Sequence, residues 1–200
     1  MGHLNRQNVI EELEESGFIE SGIPYGKKAN ESLFRLADEF SLFHLNWIKP
    51  LGKKSPGAGY WLTRQSSQKL KEWSGYCFET ICMKFVHKLK IKLGIANVET
   101  NACPWRYLPP KDSENLGAQI DLLIDRKDGV INLCEMKFYE SEFTIDADYA
   151  ADLRNKIQVF RKQTRSKKSI FLTMVTTFGI KRNSYSNDLE VIDIRMDDLF

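Results

Sequence analysis

Apolar positions along the chain switch between helical and strand periods, and the switches mark out its elements. Over residues 4–16, Leu4, Ile10 and Leu13 fall on one side and Glu11, Glu12, Glu14 and Glu15 mostly on the other, the pattern of an amphipathic helix that Gly17 ends. Phe18 and Ile19 begin an extended piece. A turn-rich loop with Pro24, Gly26, Lys27 and Lys28 comes next over 21–30, and 32–37 reads as a returning strand. Asp38 caps a predicted helix ending at Ile48. Phe40, Leu42, Phe43, Leu45, Trp47 and Ile48 make it apolar nearly all round, so it should be buried between two lobes or against another chain. Lys49 to Gly59 holds Pro50, Gly52, Pro56, Gly57 and Gly59 and reads as a linker. The division expected is a small lobe over 1–50, a linker over 51–59 and a larger domain over 60–200.

In that larger domain a short helix over 64–69 leads into a long one over 70–93. Phe78, Ile81, Cys82, Phe85, Val86 and Leu89 form its apolar stripe, and Gly94 stops it. Residues 95–102 are strand-like, and 103–115, with Pro104, Pro109 and Pro110, read as a loop. Two apolar strand-like runs come after it, 117–125 and 133–138. Asp146 to Thr164 should be a helix with Tyr149, Leu153, Ile157 and Phe160 inward and Arg154, Gln158 and Arg161 on its other side. Residues 169–177 are nearly continuously apolar, as in a central strand, and 189–194 suit a last strand. The fold class expected is α/β: a mixed sheet with the helices that start at Leu70 and Asp146 packed on it.

The two runs around the turn carry charge where buried strands should not. Asp121 lies within Ile120-Asp121-Leu122-Leu123-Ile124, and Glu135 and Lys137 alternate with Cys134, Met136 and Phe138. Charges in such places are costly unless paired or bound to a metal. Asp128-Gly129 between the runs is a hairpin signal with two registers. A two-residue turn sets Asp121 opposite Met136. A three-residue loop, Lys127-Asp128-Gly129 with Gly129 left-handed, sets Asp121 opposite Glu135; this is the register expected, because only it gathers Asp121, Glu135 and Lys137 on one side. Two carboxylates with a lysine suit a hard divalent cation, Mg²⁺ or Mn²⁺, at which bound water and a phosphoryl oxygen are activated. An adjacent ammonium then offsets the developing charge.

Asp121 followed by Glu135-Met136-Lys137 on successive strands resembles the core motif of the PD-(D/E)XK nuclease superfamily. The resemblance implies a restriction-endonuclease-like mixed sheet flanked by helices, with a helix ahead of the hairpin that supplies one more acidic residue; at that place stands Glu79. It implies catalytic Asp121, Glu135 and Lys137, with Glu79, Asp121 and Glu135 around the metal. Trp73-Ser74-Gly75-Tyr76-Cys77-Phe78-Glu79, the two strand runs, and Thr176-Thr177-Phe178-Gly179 further resemble the C-terminal part of a family of prokaryotic P-loop ATPases, in which a winged helix precedes a nuclease-like domain. The helix, strand, basic loop and strand at the start of the chain resemble the last helix and wing of such a module. No Gly-x-x-x-x-Gly-Lys-Ser/Thr loop occurs in this sequence, so the resemblance implies no ATPase activity in it.

Composition narrows the partners. Hydrophobic content of 42% and charged content of 28% are ordinary for a folded protein. A net charge of +2 supplies no overall pull toward nucleic acid, although Lys49, Lys53 and Lys54, a group from Lys84 to Lys92, and another from Arg161 to Lys168 are locally basic. Cys77, Cys82, Cys103 and Cys134 form no Cys-x-x-Cys pair, and His3, His44 and His87 are scattered, which leaves a zinc site little support. No apolar run approaches the length of a membrane span, and no signal peptide opens the chain, so a cytoplasmic protein is expected, without a membrane partner. The function expected is metal-dependent phosphodiester hydrolysis, of DNA. The alternative is a non-catalytic module for binding nucleic acid or protein. Two further partners are expected: a P-loop ATPase domain, or a second copy docked through the apolar helix 40–48.

Overall fold

The computed structural model describes residues 6–110 and 117–200. The chain forms two compact units. One contains Lys28–Cys77 together with the described residues up to Ile23, the other Pro24–Lys27 and Phe78–Phe200. Segment 51–59, read above as a linker, lies within the first of them.

In the first unit, helix α1 (Arg6–Glu15) leads into the antiparallel pair β1 (Ile19–Gly22) and β2 (Leu33–Leu36). Helix α2 (Glu39–Phe43) is capped by Asp38, whose carboxylate accepts the Ser41 N–H at 2.5 Å, and a π-turn continues it over His44–Ile48. Within this chain the helix is buried on one side only. Leu42 and Trp47 are buried, whereas Phe40, Leu45 and Ile48 are exposed. Trp47 is held by Trp61 and Trp73, with centroids at 5.4 and 6.0 Å. Lys69 Nζ lies 4.8 Å from the Trp47 ring centroid and donates to the Asn46 carbonyl at 2.7 Å. Helix α3 (Gln68–Lys84) begins in this unit and ends in the other.

The second unit is mixed α/β around a five-stranded mixed sheet. After α3, Phe85 leaves helical geometry (φ −100°, ψ 24°), so the long predicted helix is two, with α4 over Val86–Lys92. The strands are β3 (Thr100–Tyr107), β4 (Ala118–Arg126) and β5 (Val130–Lys137). A short strand, β6 (Phe143–Thr144), precedes helix α5 (Ala147–Thr164), after which come β7 (Ser169–Thr176), β8 (Ile180–Lys181), α6 (Ser184–Asp188) and β9 (Ile192–Arg195). The sheet order is β3-β4-β5-β7-β9, antiparallel from β3 to β5 and parallel from β5 to β9. Asp146 caps α5 as its position suggests, accepting the Tyr149 N–H at 2.8 Å.

Each sheet face has its own core. Leu123, Leu133, Leu172 and Met174 pack with Ala150, Leu153 and Phe160 of α5. Leu122, Ile124, Cys134, Met136, Val175 and Ile194 pack with Phe78 and Cys82 of α3 and Leu89 of α4. That double covering is why β5 and β7 are apolar almost throughout. Two strand expectations need correction. Residues 103–107 are strand, not loop, and the strand tolerates Pro104 because it lies at the sheet edge beside a bulge: Cys103 pairs with Leu123 but Trp105 with Ile120. Residues 95–99 are not strand. The last strand starts at Ile192, because α6 takes up Ser184–Asp188.

Candidate active site

The hairpin register is the one with the three-residue loop. Leu122 pairs with Cys134, Leu123 with Leu133 and Ile124 with Asn132, which puts Asp121 next in line to Glu135. Lys127, Asp128 and Gly129 form the connection, and Gly129 has φ +88°, a conformation open to glycine at no steric cost. Arg126 pairs with Asp128 across the turn, and Lys168 binds the Asp125 carboxylate at 2.5 Å and the Arg126 carbonyl at 2.6 Å.

The bulge sets Asp121 and Leu122 opposite the single residue Pro104. The ladder between β4 and β5 ends at Leu122, and the Asp121 carboxylate accepts the Met136 N–H at 2.9 Å. A carboxylate thus satisfies a backbone donor that a strand carbonyl would otherwise take. The bond holds Asp121 within one residue of Glu135 on β5.

Glu135 is fully buried. Its Oε2 binds Lys156 Nζ of α5 at 2.6 Å, and Lys156 also lies 3.5 Å from Asp152. Its Oε1 is buried with no hydrogen-bond partner among the described residues. Burial pushes the Glu135 carboxyl up to about 7; the Asp121 charge adds to this, and Lys156 and Lys137 offset it in part. Burial pulls Lys156 down, but its pairing with Glu135 prevails and holds it above the usual lysine value. Lys137, two residues along β5, places its Nζ 5.6 Å from the centroid of Tyr149. The Tyr149 hydroxyl is buried and unpartnered among the described residues; burial first, then the charges of Glu135 and Asp121, push it up.

So Asp121, Glu135 and Lys137 meet at one place, joined by Lys156 and Tyr149. Glu79 is half-buried on α3, whose neighbouring Phe78 packs on the sheet face opposite α5. The charges of Asp121, Lys156 and Lys137 act on Glu135. Lys156 escaped the sequence reading, although it stands seven residues after Tyr149 and three after Leu153, on the inward side of α5. Arg154, on the other side, is engaged with Asp188 at 2.6 Å on the surface. Thiol chemistry is disfavoured: the four cysteines are free, burial raises Cys103 to about 11, and Cys134, wholly buried, is also pushed up.

A cation fits part of this arrangement. Asp121 and the unpartnered Oε1 of Glu135 are hard oxygen donors, and Mg²⁺ needs only one or two carboxylates when it keeps its waters. Among the described residues no group of three or more His, Cys, Asp or Glu side chains is arranged to hold a metal. No family model matches the chain, and neither the curated proteins nor the solved structures yield a match.

The raised carboxyl makes stability depend on pH. Its folded value, about 7, lies above its ordinary 4.5, so folding takes up a proton between these values and stability falls as pH rises through that window. Glu135→Gln is therefore expected to raise the unfolding free energy by about 2 kcal/mol above neutral pH, at roughly 1.4 kcal/mol per unit of displacement less some loss of pairing to Lys156. The gain should vanish as pH falls to about 4.5. Urea unfolding in EDTA across that pH range checks it.

Proposed function

We propose that this chain is a metal-dependent nuclease that hydrolyses phosphodiester bonds of DNA, in a PD-(D/E)XK-type site. The carrying observation is the meeting of Asp121, Glu135 and Lys137, with one buried Glu135 oxygen left unpartnered among the described residues. Asp121 and Glu135 would hold Mg²⁺ or Mn²⁺, with Glu79 as the further carboxylate that the resemblance implies. Such a cation, when bound, activates water and polarises a phosphoryl oxygen. The residues around it have distinct tasks. Asp121 is aimed by the Met136 N–H. Lys156 occupies one Glu135 oxygen and orients the other. Lys137, steadied over Tyr149, presents an ammonium where negative charge develops on the phosphate. In the same proposal, α1, β1 and β2 are the remnant of a winged helix, and the chain corresponds to the C-terminal region of a P-loop ATPase.

A second reading, a docking module whose chemistry is unused, is favoured by two observations: Lys156 already pairs with Glu135, and the described residues hold no three-ligand cluster. Calorimetric titration separates the two. The nuclease reading expects saturable heat with Mn²⁺ or Mg²⁺ that Glu135→Gln weakens at least tenfold in affinity. No heat in the wild-type protein favours the docking module.

A further inference from the structure

β5, β7 and β9 run parallel, so their carboxyl ends share one edge of the sheet. Lys137 pairs with Thr176 and Thr176 with Arg195, forming a row across the three strands at that edge. The carboxyl ends of parallel strands are the usual ligand-binding place in open α/β sheets. The turns leaving β5 and β7 there are unusually aromatic for a surface. Phe138 is 42% exposed, Tyr139 50% and Phe178 50%. The Tyr139 N–H donates to Thr177 Oγ1 at 3.0 Å, which ties the two aromatic turns together. Tyr139 packs edge-on with Phe143, and Phe143 with Tyr149, the ring beneath Lys137, which joins Tyr139 to the candidate site, while the Phe138 ring lies 6.2 Å from that of Phe78 on α3.

A cation borders the aromatic turns. A methyl group at Gly179 would come within 2.7 Å of Arg195 Nε and 3.1 Å of Asp193 Oδ2, so the Arg195 side chain lies against the bare backbone beside Phe178, with the Asp193 carboxylate, which also accepts the Ile180 N–H, next to it. Arg195 itself is exposed. Three half-exposed rings, two cations and a phosphodiesterase-type centre at one strand edge are the components of a single-strand binding track, in which bases stack and phosphates run along the cations. A duplex keeps its base faces stacked and is held mainly through many phosphate contacts, which Lys137 and Arg195 alone do not supply.

From this we infer that Phe138, Tyr139, Phe178 and Arg195 receive an unpaired stretch of the substrate, making the chain selective for single-stranded or frayed nucleic acid. The inference rests on the nuclease reading for the identity of the substrate. Its test does not depend on cleavage.

The full chain is titrated, in EDTA, against a fluorescein-labelled single-stranded DNA oligonucleotide and against the same sequence as a blunt duplex, with anisotropy as the readout. The single strand is expected to bind at least about tenfold more tightly. Tyr139→Ala and Phe178→Ala should each weaken it by about tenfold, and Tyr139→Phe and Phe178→Trp should not. Both positions are surface-exposed, and a melting curve confirms the fold of each variant. Equal or tighter duplex binding, no binding of either form, or alanine variants that bind like wild type would overturn the inference. Single-strand binding as expected, without cleavage after Mn²⁺ is added, would instead remove the nuclease reading and leave the track standing.

Discussion

Asp121→Asn is expected to lower metal-dependent DNA cleavage by about a thousandfold or more while leaving the melting temperature close to that of wild type. Asparagine retains an acceptor for the Met136 N–H at 2.9 Å, so the β4–β5 junction keeps its geometry. The loss is the negative charge beside Glu135. Asp121→Ala should abolish cleavage as well, at an added cost in stability, since the Met136 N–H then loses its partner. Lys137→Ala should remove cleavage to a comparable extent without disturbing the core, since Lys137 ends its strand and is only half-buried. The measurement is the rate of oligonucleotide cleavage with Mn²⁺, set against a thermal melt of each variant. Wild-type cleavage in purified Asp121→Asn protein would refute the assignment of the site.

The second large effect concerns Lys156. It supplies the closest cation to Glu135, at 2.6 Å, and breaking a buried pair by removing one partner costs about 3–5 kcal/mol when the other must remain charged. Lys156→Met is therefore expected to destabilise the protein by roughly 3 kcal/mol near pH 9. The sign of the pH dependence comes from the carboxyl. Glu135 already sits at about 7 and rises further without its lysine. Below that value it takes up a proton and the unpaired charge disappears, so near pH 5 the cost should shrink to less than about 1 kcal/mol. Denaturant unfolding of wild type and variant at the two pH values, in EDTA, measures this. Together with the Glu135→Gln prediction this makes an asymmetric pair: removing the carboxylate stabilises above neutral pH, and removing the lysine does the opposite. A merely solvated lysine would show no such pH-dependent loss on replacement by methionine.

Much of the second unit was legible in its residue pattern. The stretch 169–177 had to be covered on both faces, and its strand is β7, between β5 and β9. Asp146 declared the start of α5, and Lys127-Asp128-Gly129 the hairpin, because caps and left-handed turns are decided by a few neighbouring residues. Local reading failed at Pro104. A proline usually signals a loop, but here it is tolerated at an edge strand opposite a bulge, a circumstance created by a partner strand distant in the chain. The apolar helix around Trp47 shows the complementary limit: its composition calls for burial, but packing within the chain decides that Leu42 and Trp47 go inside, that Phe43 rests on Trp61 and Trp73, and that Phe40 stays exposed.

The sequence unaided determined that Asp121, Glu135 and Lys137 stand on adjoining strands, with the two charges of β5 pointing the same way, since strand alternation and a short turn are local properties. Tertiary structure alone decided that Lys156 reaches Glu135 across the helix–sheet interface, that the Asp121 carboxylate accepts the Met136 N–H, and that three half-exposed aromatic residues and Arg195 lie at the carboxyl ends of the parallel strands. Those facts depend on which helix covers which face and on how distant strands align, and such long-range packing is set by the whole core at once.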